Sequence, residues 1–250
     1  MDLHGWKYVG RKISPEFHKS VVVFDEFFRD SFKVANRTWP AIQKDLAQIL
    51  CVAPGQIRTI KSLMEEVGIL RKGSLNMKEV PSISNIYTQD GKNIIDLLKT
   101  KIILQKKQKL QDTDNISKID QVIRLLYLKA MGRVVIIDTT NRLHPLRATL
   151  KALLKYRSLD KIEWYLLNTI VKNDDNFAEE ELLSEKIKLY RDGQLNISQL
   201  NIKSQALSHS YILGNYEYTG IIKKQKLDDE NKMFLILPNQ NMKKYIDEIR

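Results

Sequence analysis

The sequence predicts a mainly α protein with small β wings (α+β), built as two winged helix-turn-helix subdomains joined by a helical connector. Three observations predict it. Glycine (10) and proline (6) are scarce in 250 residues, which argues against a many-turned β sandwich. Apolar residues recur at helical spacing in most of the long segments. Each half of the chain then closes with the same grammar of strand, turn, strand, helix. The expected divisions are an N-terminal arm with the first winged helix over 1–100, the connector over 101–141 and the second winged helix over 142–250.

Taken in order, Ser14-Pro15-Glu16 starts a helix that runs to Phe32, with proline at the first helical position. Thr38-Trp39-Pro40 starts a second, in which Ile42, Leu46, Ile49 and Leu50 form the apolar stripe, and Val52–Gly55 breaks it. Over Gln56–Val67 the residues Ile57, Ile60, Leu63, Met64 and Val67 share one helical face, and Gly68 is placed as a left-handed stop. Ile69–Lys72 reads as a strand, Gly73-Ser74 as a turn and Ile83–Tyr87 as the returning strand. Thr88 or Asp90 then caps another helix. Ile116–Met131 is amphipathic and Val134–Asp138 is a short strand.

The second half opens with His144-Pro145 and a helix through Tyr156, with Leu146, Leu150, Leu153 and Leu154 inward. Asp160 with Glu163 three residues on forms a capping box for a helix to Val171. Glu179–Arg191 is an acidic helix. Ser198–Glu217 is the candidate recognition helix, with Ile202, Ala206, Ile212, Leu213 and Tyr216 on one face. Tyr218–Ile222 leads into a strand, Asp228–Lys232 turns, Met233–Leu237 returns, and Asn241–Ile249 is the last helix.

Charge points to the partner. Lys and Arg number 41 against 30 Asp and Glu, a net +11, which favours polyanions and makes their binding sensitive to salt. Lys92–Lys109 carries six lysines and one acid, whereas Asp174–Glu185 carries six acids and no base. The acidic segment is expected to turn away from phosphates. No apolar run reaches the ~18 residues of a membrane span, and the opening lacks a signal-peptide core. One cysteine, Cys51, cannot form an internal disulfide, so a cytoplasmic setting is expected. Its apolar surroundings, Leu46–Val52, suggest a buried thiol.

A catalytic constellation is not found. A metal-dependent nuclease needs clustered carboxylates and a lysine. Asp90-Gly91-Lys92 and Glu230-Asn231-Lys232 match that short string, but neither follows an upstream acidic partner on a strand. The histidines (4, 18, 144, 209) are too scattered for zinc. His209 reads as a satisfied core residue. No catalytic residue, metal ligand or cofactor is therefore expected in this chain.

His144-Pro145-Leu146 with Leu150 and Leu153-Leu154, Ser158-Leu159-Asp160-Lys161-Ile162, the acidic helix ending in Arg191, Tyr218-Thr219-Gly220-Ile221 and the closing Leu235–Asn239 and Tyr245–Ile249 together carry a likeness. The first half adds Trp6-Lys7-Tyr8-Val9, Ser14-Pro15-Glu16 and Thr88-Gln89-Asp90-Gly91-Lys92. In this order and spacing the sequence resembles the N-terminal recognition region of AlwI-like type IIS restriction endonucleases and their nicking relatives. The resemblance implies recognition of a short asymmetric site in double-stranded DNA by a monomer. It also implies a separate C-terminal cleavage domain with a PD-(D/E)xK site using Mg²⁺. The sequence departs from the family in ending at Arg250, so that Mg²⁺ site is expected in a further domain or a second subunit.

A recognition helix offers its non-core side chains to the major groove, where arginine bridges guanine O6 and N7 and glutamine bridges adenine N6 and N7. On that ground Gln56, Arg58, Ser62, Lys203, Ser204 and Ser208 are the candidate base contacts, with Tyr211, Asn215 and Gln205 on or beside the second outward face. Arg11, Lys12, Lys61, Arg71, Lys72, Lys223, Lys224 and Lys226 are the candidate phosphate contacts. The aromatic residues are not interleaved with basic ones as single-strand binding requires, so duplex DNA is the expected substrate. The same pattern suits a stand-alone regulator or plasmid replication initiator acting as a dimer on a palindrome, or a protein-interaction module without a DNA role.

Overall fold

The computed structural model describes residues 2–6, 10–34, 37–75, 83–107, 112–138, 141–196, 200–202, 206–226 and 233–236. These are mainly helical with a few short strands. Contacts divide the chain into two units, 11–131 and 132–250, the second including residues 1–10. The sequence instead divides the chain after 100 and 141 and groups the opening arm with the first half.

The opening strand β1 (Asp2–Leu3) belongs to the C-terminal unit and is treated with it. In the unit 11–131, helix α1 (Pro15–Arg29) starts where the sequence places it: the Ser14 hydroxyl accepts from the Phe17 N–H at 3.2 Å. Phe17, Val21, Phe24 and Phe28 form its buried stripe. A single turn, α2 (Ser31–Val34), precedes α3 (Trp39–Ile49), which buries Trp39, Ile42 and Leu46. The helix ends in a six-to-one turn, with the Val52 N–H on Ala47 O at 3.0 Å and the Cys51 N–H on Gln48 O at 3.1 Å. Cys51 occupies the left-handed position, φ 51°, and its side chain is exposed. The buried thiol expected from its apolar neighbours is not found, because the chain leaves the helix at this residue.

Helix α4 (Pro54–Glu66) follows directly and buries Ile57, Ile60, Leu63 and Met64. Gly68 stops it at φ 74°, as expected. The first wing differs from expectation. Among the described residues only Leu70 and Tyr87 pair as an antiparallel bridge. Ile83–Ile86 is a helical turn, α5, rather than a returning strand. Asn85 is a poor strand former, and the described pairing of this segment is confined to its end, where Ile86 O accepts from the Arg71 N–H and Tyr87 bridges to Leu70. Helices α6 (Gln89–Lys107) and α7 (Asp112–Gly132) complete the unit. Ile123, Tyr127, Leu128 and Met131 of α7 are buried, so the stretch read as a connector supplies core. Thr88 is the cap of α6, accepting the Gly91 N–H at 2.8 Å.

In the second unit, β2 (Ile136–Asp138) pairs antiparallel with β3 (Asn141–Leu143). Helix α8 (Pro145–Tyr156) begins at the expected proline, and β4 (Ser158–Leu159) follows. The capping box is present at the start of α9 (Lys161–Ile170): Asp160 accepts from the Glu163 N–H, and Glu163 from the Asp160 N–H, each at 2.9 Å. After α10 (Phe177–Arg191) comes β5 (Asn201–Ile202), then α11 (Ala206–Thr219). The expected helix over Ser198–Glu217 thus begins only at Ala206. Ile202 lies instead on a strand, because Asn201–Ile202 pairs in parallel with Asp2–Leu3. Strands β6 (Lys223–Lys226) and β7 (Met233–Ile236) form the expected hairpin, and β4 adds to it in the order β4-β7-β6. The closing helix expected over Asn241–Ile249 lies outside the described residues.

The opening arm is bound into this unit. Trp6 donates its indole N–H to Val171 O at 2.8 Å and meets Trp164 edge-on, with centroids 5.7 Å apart. His4 and Thr169 exchange hydrogen bonds of 2.8 and 3.0 Å.

Candidate nucleic-acid interface

Helix α4 is amphipathic: its apolar face is buried, while Gln56, Arg58 and Thr59 are exposed and Ser62 is half-buried. Two flanking segments are tied to it. Arg11 donates to the Thr59 hydroxyl at 3.3 Å, and burial lowers the guanidinium's pKa. Lys12 beside it is exposed. On the other side the Gly73 N–H donates to Glu65 at 3.0 Å, which holds the turn carrying exposed Arg71 and Lys72. Arg71 is further fixed by its own N–H on Ile86 O (2.9 Å) and its Nε on Tyr87 O (3.2 Å). The predicted residues Gln56, Arg58, Ser62, Lys61, Arg71 and Lys72 therefore share α4 or the turn bonded to it, and Arg11 touches the same helix.

Lys61 is placed differently from its neighbours. Its ammonium lies 3.1 Å from Glu65, and only 18% of its side chain is exposed. The two residues stand one helical turn apart, so the sequence already carries this signal as an i,i+4 pair.

The second predicted face is less complete. Lys203 and Ser204 lie outside the described residues, as do the side chains of Ser208 and Lys226 and the side chain of His209. Lys223 is exposed on β6, and Lys224 pairs with Glu217 at 3.3 Å. Asn215, expected on the outward face of α11, is buried at 1% exposure. It shares a stripe with Ile212, Tyr216 and Thr219, spaced by three and four residues, so the buried face extends beyond the expected one. Tyr211 is half-buried.

The acidic segment acquires a role that charge counting did not assign. Arg147 reaches Asp174 at 3.3 Å and Asp175 at 2.7 Å, Lys151 donates to Asp174 O, and Lys155 reaches Glu180 at 3.1 Å. Three cations spaced by one turn along α8 are thus neutralised by the acidic run. At the far end of α10, Arg191 donates to buried Glu163 at 2.5 Å and Tyr190 to Asp160 at 2.6 Å, so this helix also fastens the capping box.

For catalysis, Asp90 of the first acid-x-Lys string is buried and faces Lys129 at 3.5 Å, while Glu230-Asn231-Lys232 lies outside the described residues. Among the described residues no group of three or more His, Cys, Asp or Glu side chains is placed to hold a metal ion, and no helix is long and apolar enough to cross a membrane. No family model, curated protein or solved structure matches this chain.

Proposed function

We propose that this chain recognises a short asymmetric sequence in double-stranded DNA through two winged-helix units, as the recognition region of a type IIS restriction or nicking endonuclease. Cleavage with Mg²⁺ belongs, in this reading, to a further domain or subunit. The observation that carries it is α4: a helix entered by a tight turn from α3, buried on one face, with Gln56 and Arg58 exposed on the other and Arg71 and Lys72 held alongside. Glutamine and arginine are the side chains that read adenine and guanine by paired hydrogen bonds. The net +11 supplies the attraction to phosphate. In the C-terminal unit, the order α8, β4, α9, later α11, then the β6–β7 hairpin with β4 bonded to β7, supports reading this unit as a winged helix with α11 as the second reading helix.

Within this reading Gln56, Arg58 and Ser62 contact bases, and Lys12, Arg71, Lys72 and Lys223 contact phosphates. Arg11 braces α4 through Thr59. The test is selection from a randomised duplex pool at moderate salt with Mg²⁺ present. One short asymmetric motif on intact DNA, bound by one copy of the chain, is the expected result. A palindrome bound by two copies would replace it with a dimeric regulator, nicked DNA would place an active site within these residues, and no enrichment would refute DNA recognition.

A further inference from the structure

Glu65 sits in the last turn of α4, where the helix dipole disfavours a carboxylate. Its side chain is only 13% exposed. Two cationic or donor groups offset that placement, and both meet the same oxygen, Oε1: the Lys61 ammonium at 3.1 Å and the Gly73 N–H at 3.0 Å. Gly73 belongs to the turn that closes with the Ser74 N–H on Arg71 O at 3.0 Å, and its φ of 75° admits no other residue without strain. At its other end the same turn is tied to residues 86 and 87 through Arg71. One carboxylate oxygen therefore joins the reading helix to the turn displaying Arg71 and Lys72, while occupying Lys61.

We propose that Glu65 is a positioning residue for duplex binding: it presets the Arg71–Lys72 turn against α4 and withdraws Lys61 from the set of phosphate contacts. This role rests on the DNA reading above. A turn already fixed loses little freedom when it meets the backbone, so its two cations bind without an ordering cost. A lysine whose charge is already balanced by Glu65 releases no counterions from DNA and adds nothing to the salt dependence.

The experiment compares wild type with E65Q, E65A and K61Q, using exchange of the Gly73 amide without DNA and the slope of log affinity against log salt on a mixed-sequence oligonucleotide duplex. Glutamine keeps an acceptor for Gly73 but lacks the charge that holds Lys61. The Gly73 amide is expected to be protected in wild type and E65Q and to lose that protection in E65A. The salt slope of E65Q should steepen by about 0.9, one added phosphate contact, whereas K61Q leaves the wild-type slope unchanged. E65A frees Lys61 as E65Q does but also releases the turn, so it should bind about tenfold more weakly than E65Q. A wild-type slope that K61Q lowers by one contact, or a Gly73 amide equally protected in E65A, overturns the role assigned to Glu65 while leaving DNA binding intact. A wild type with no duplex affinity at any salt refutes the DNA reading and this role with it.

Discussion

Replacing Gly91 by alanine tests the junction that sets α6 against the Gly68–Leu70 backbone. A Cβ at this position would lie 2.2 Å from Ile69 O and 2.8 Å from Ile69 C and Cα. Carbon and oxygen in ordinary contact stand about 3.3 Å apart, so the two backbones must separate by about 1 Å. That movement breaks the Thr88 N–H bond to Ile69 O (3.0 Å) and the Thr88 hydroxyl bond to Gly68 O (2.5 Å). Each is worth about 1 kcal/mol net, and forcing a side chain into packed space costs about 1–3 kcal/mol more. The entropy removed from the unfolded chain returns about 0.5–1 kcal/mol. The net expectation is a loss of about 3 kcal/mol, confined to the unit 11–131. Because the chain has two units, a global melt is the wrong readout. Amide exchange of α6 and α7 peptides isolates the effect, and such a loss accelerates their slowest amides roughly a hundredfold. Gly55→Ala is the control in the same unit: its new Cβ would meet only Arg58 Nη2, at 3.8 Å, and should be neutral or slightly stabilising. Equal exchange in the two variants would refute the close approach of α6 to Ile69.

Other measurements probe the remaining links. Arg58→Ala should weaken binding to the selected duplex by roughly 10–100-fold and relax preference at one base position, whereas Lys72→Gln should weaken all sequences alike and lower the salt slope by about 0.9; an Arg58→Ala protein of unchanged selectivity would remove α4 from base readout. His18, stacked on Tyr127 at 5.9 Å, has its pKa lowered from 6.5 to about 4, by burial first and by Lys101 second, against the opposing pull of Asp120. The unfolded state takes up the proton first, so stability is full above pH 6.5 and falls by about 3 kcal/mol as pH drops from 6.5 to 4. Denaturation midpoints of wild type and His18→Gln across that window should differ in slope, and parallel profiles would exclude His18 as the source. Trp6→Ala removes a side chain 4% exposed and its bond to Val171 O, and should cost about 3–5 kcal/mol, read as faster exchange in α9 with α6 unaffected. Unchanged α9 protection would mean that the arm contributes nothing to that unit.

Much of the local structure was legible in the sequence because its causes are local. Ser14 before Pro15, Pro145 after His144, the Asp160–Glu163 box and Gly68 each satisfy or terminate a helix with groups a few residues away, and all four act as read. The buried face of α4 followed from its periodicity, which is why Gln56 and Arg58 stand exposed. Where a segment's conformation depended on a distant partner, the pattern alone misled. Asn201–Ile202 reads as the start of a helix until Asp2–Leu3 offers backbone partners from the other end of the chain. Ile83–Ile86 has the apolar content of a strand, but among the described residues pairing is confined to Ile86 O, which accepts from the Arg71 N–H, and to Tyr87, bridged to Leu70.

Charge behaves in the same way. The sequence by itself determined that this protein carries an excess of positive charge, a mainly helical framework and one helix whose polar face holds base-reading side chain types. Only the tertiary structure decided which charges are spent within the protein: Arg147, Lys151 and Lys155 on the acidic run, and Lys224 on Glu217. Composition sums charges regardless of position, whereas Coulomb attraction acts over a few ångströms, and those distances are fixed only when segments far apart in the chain pack together.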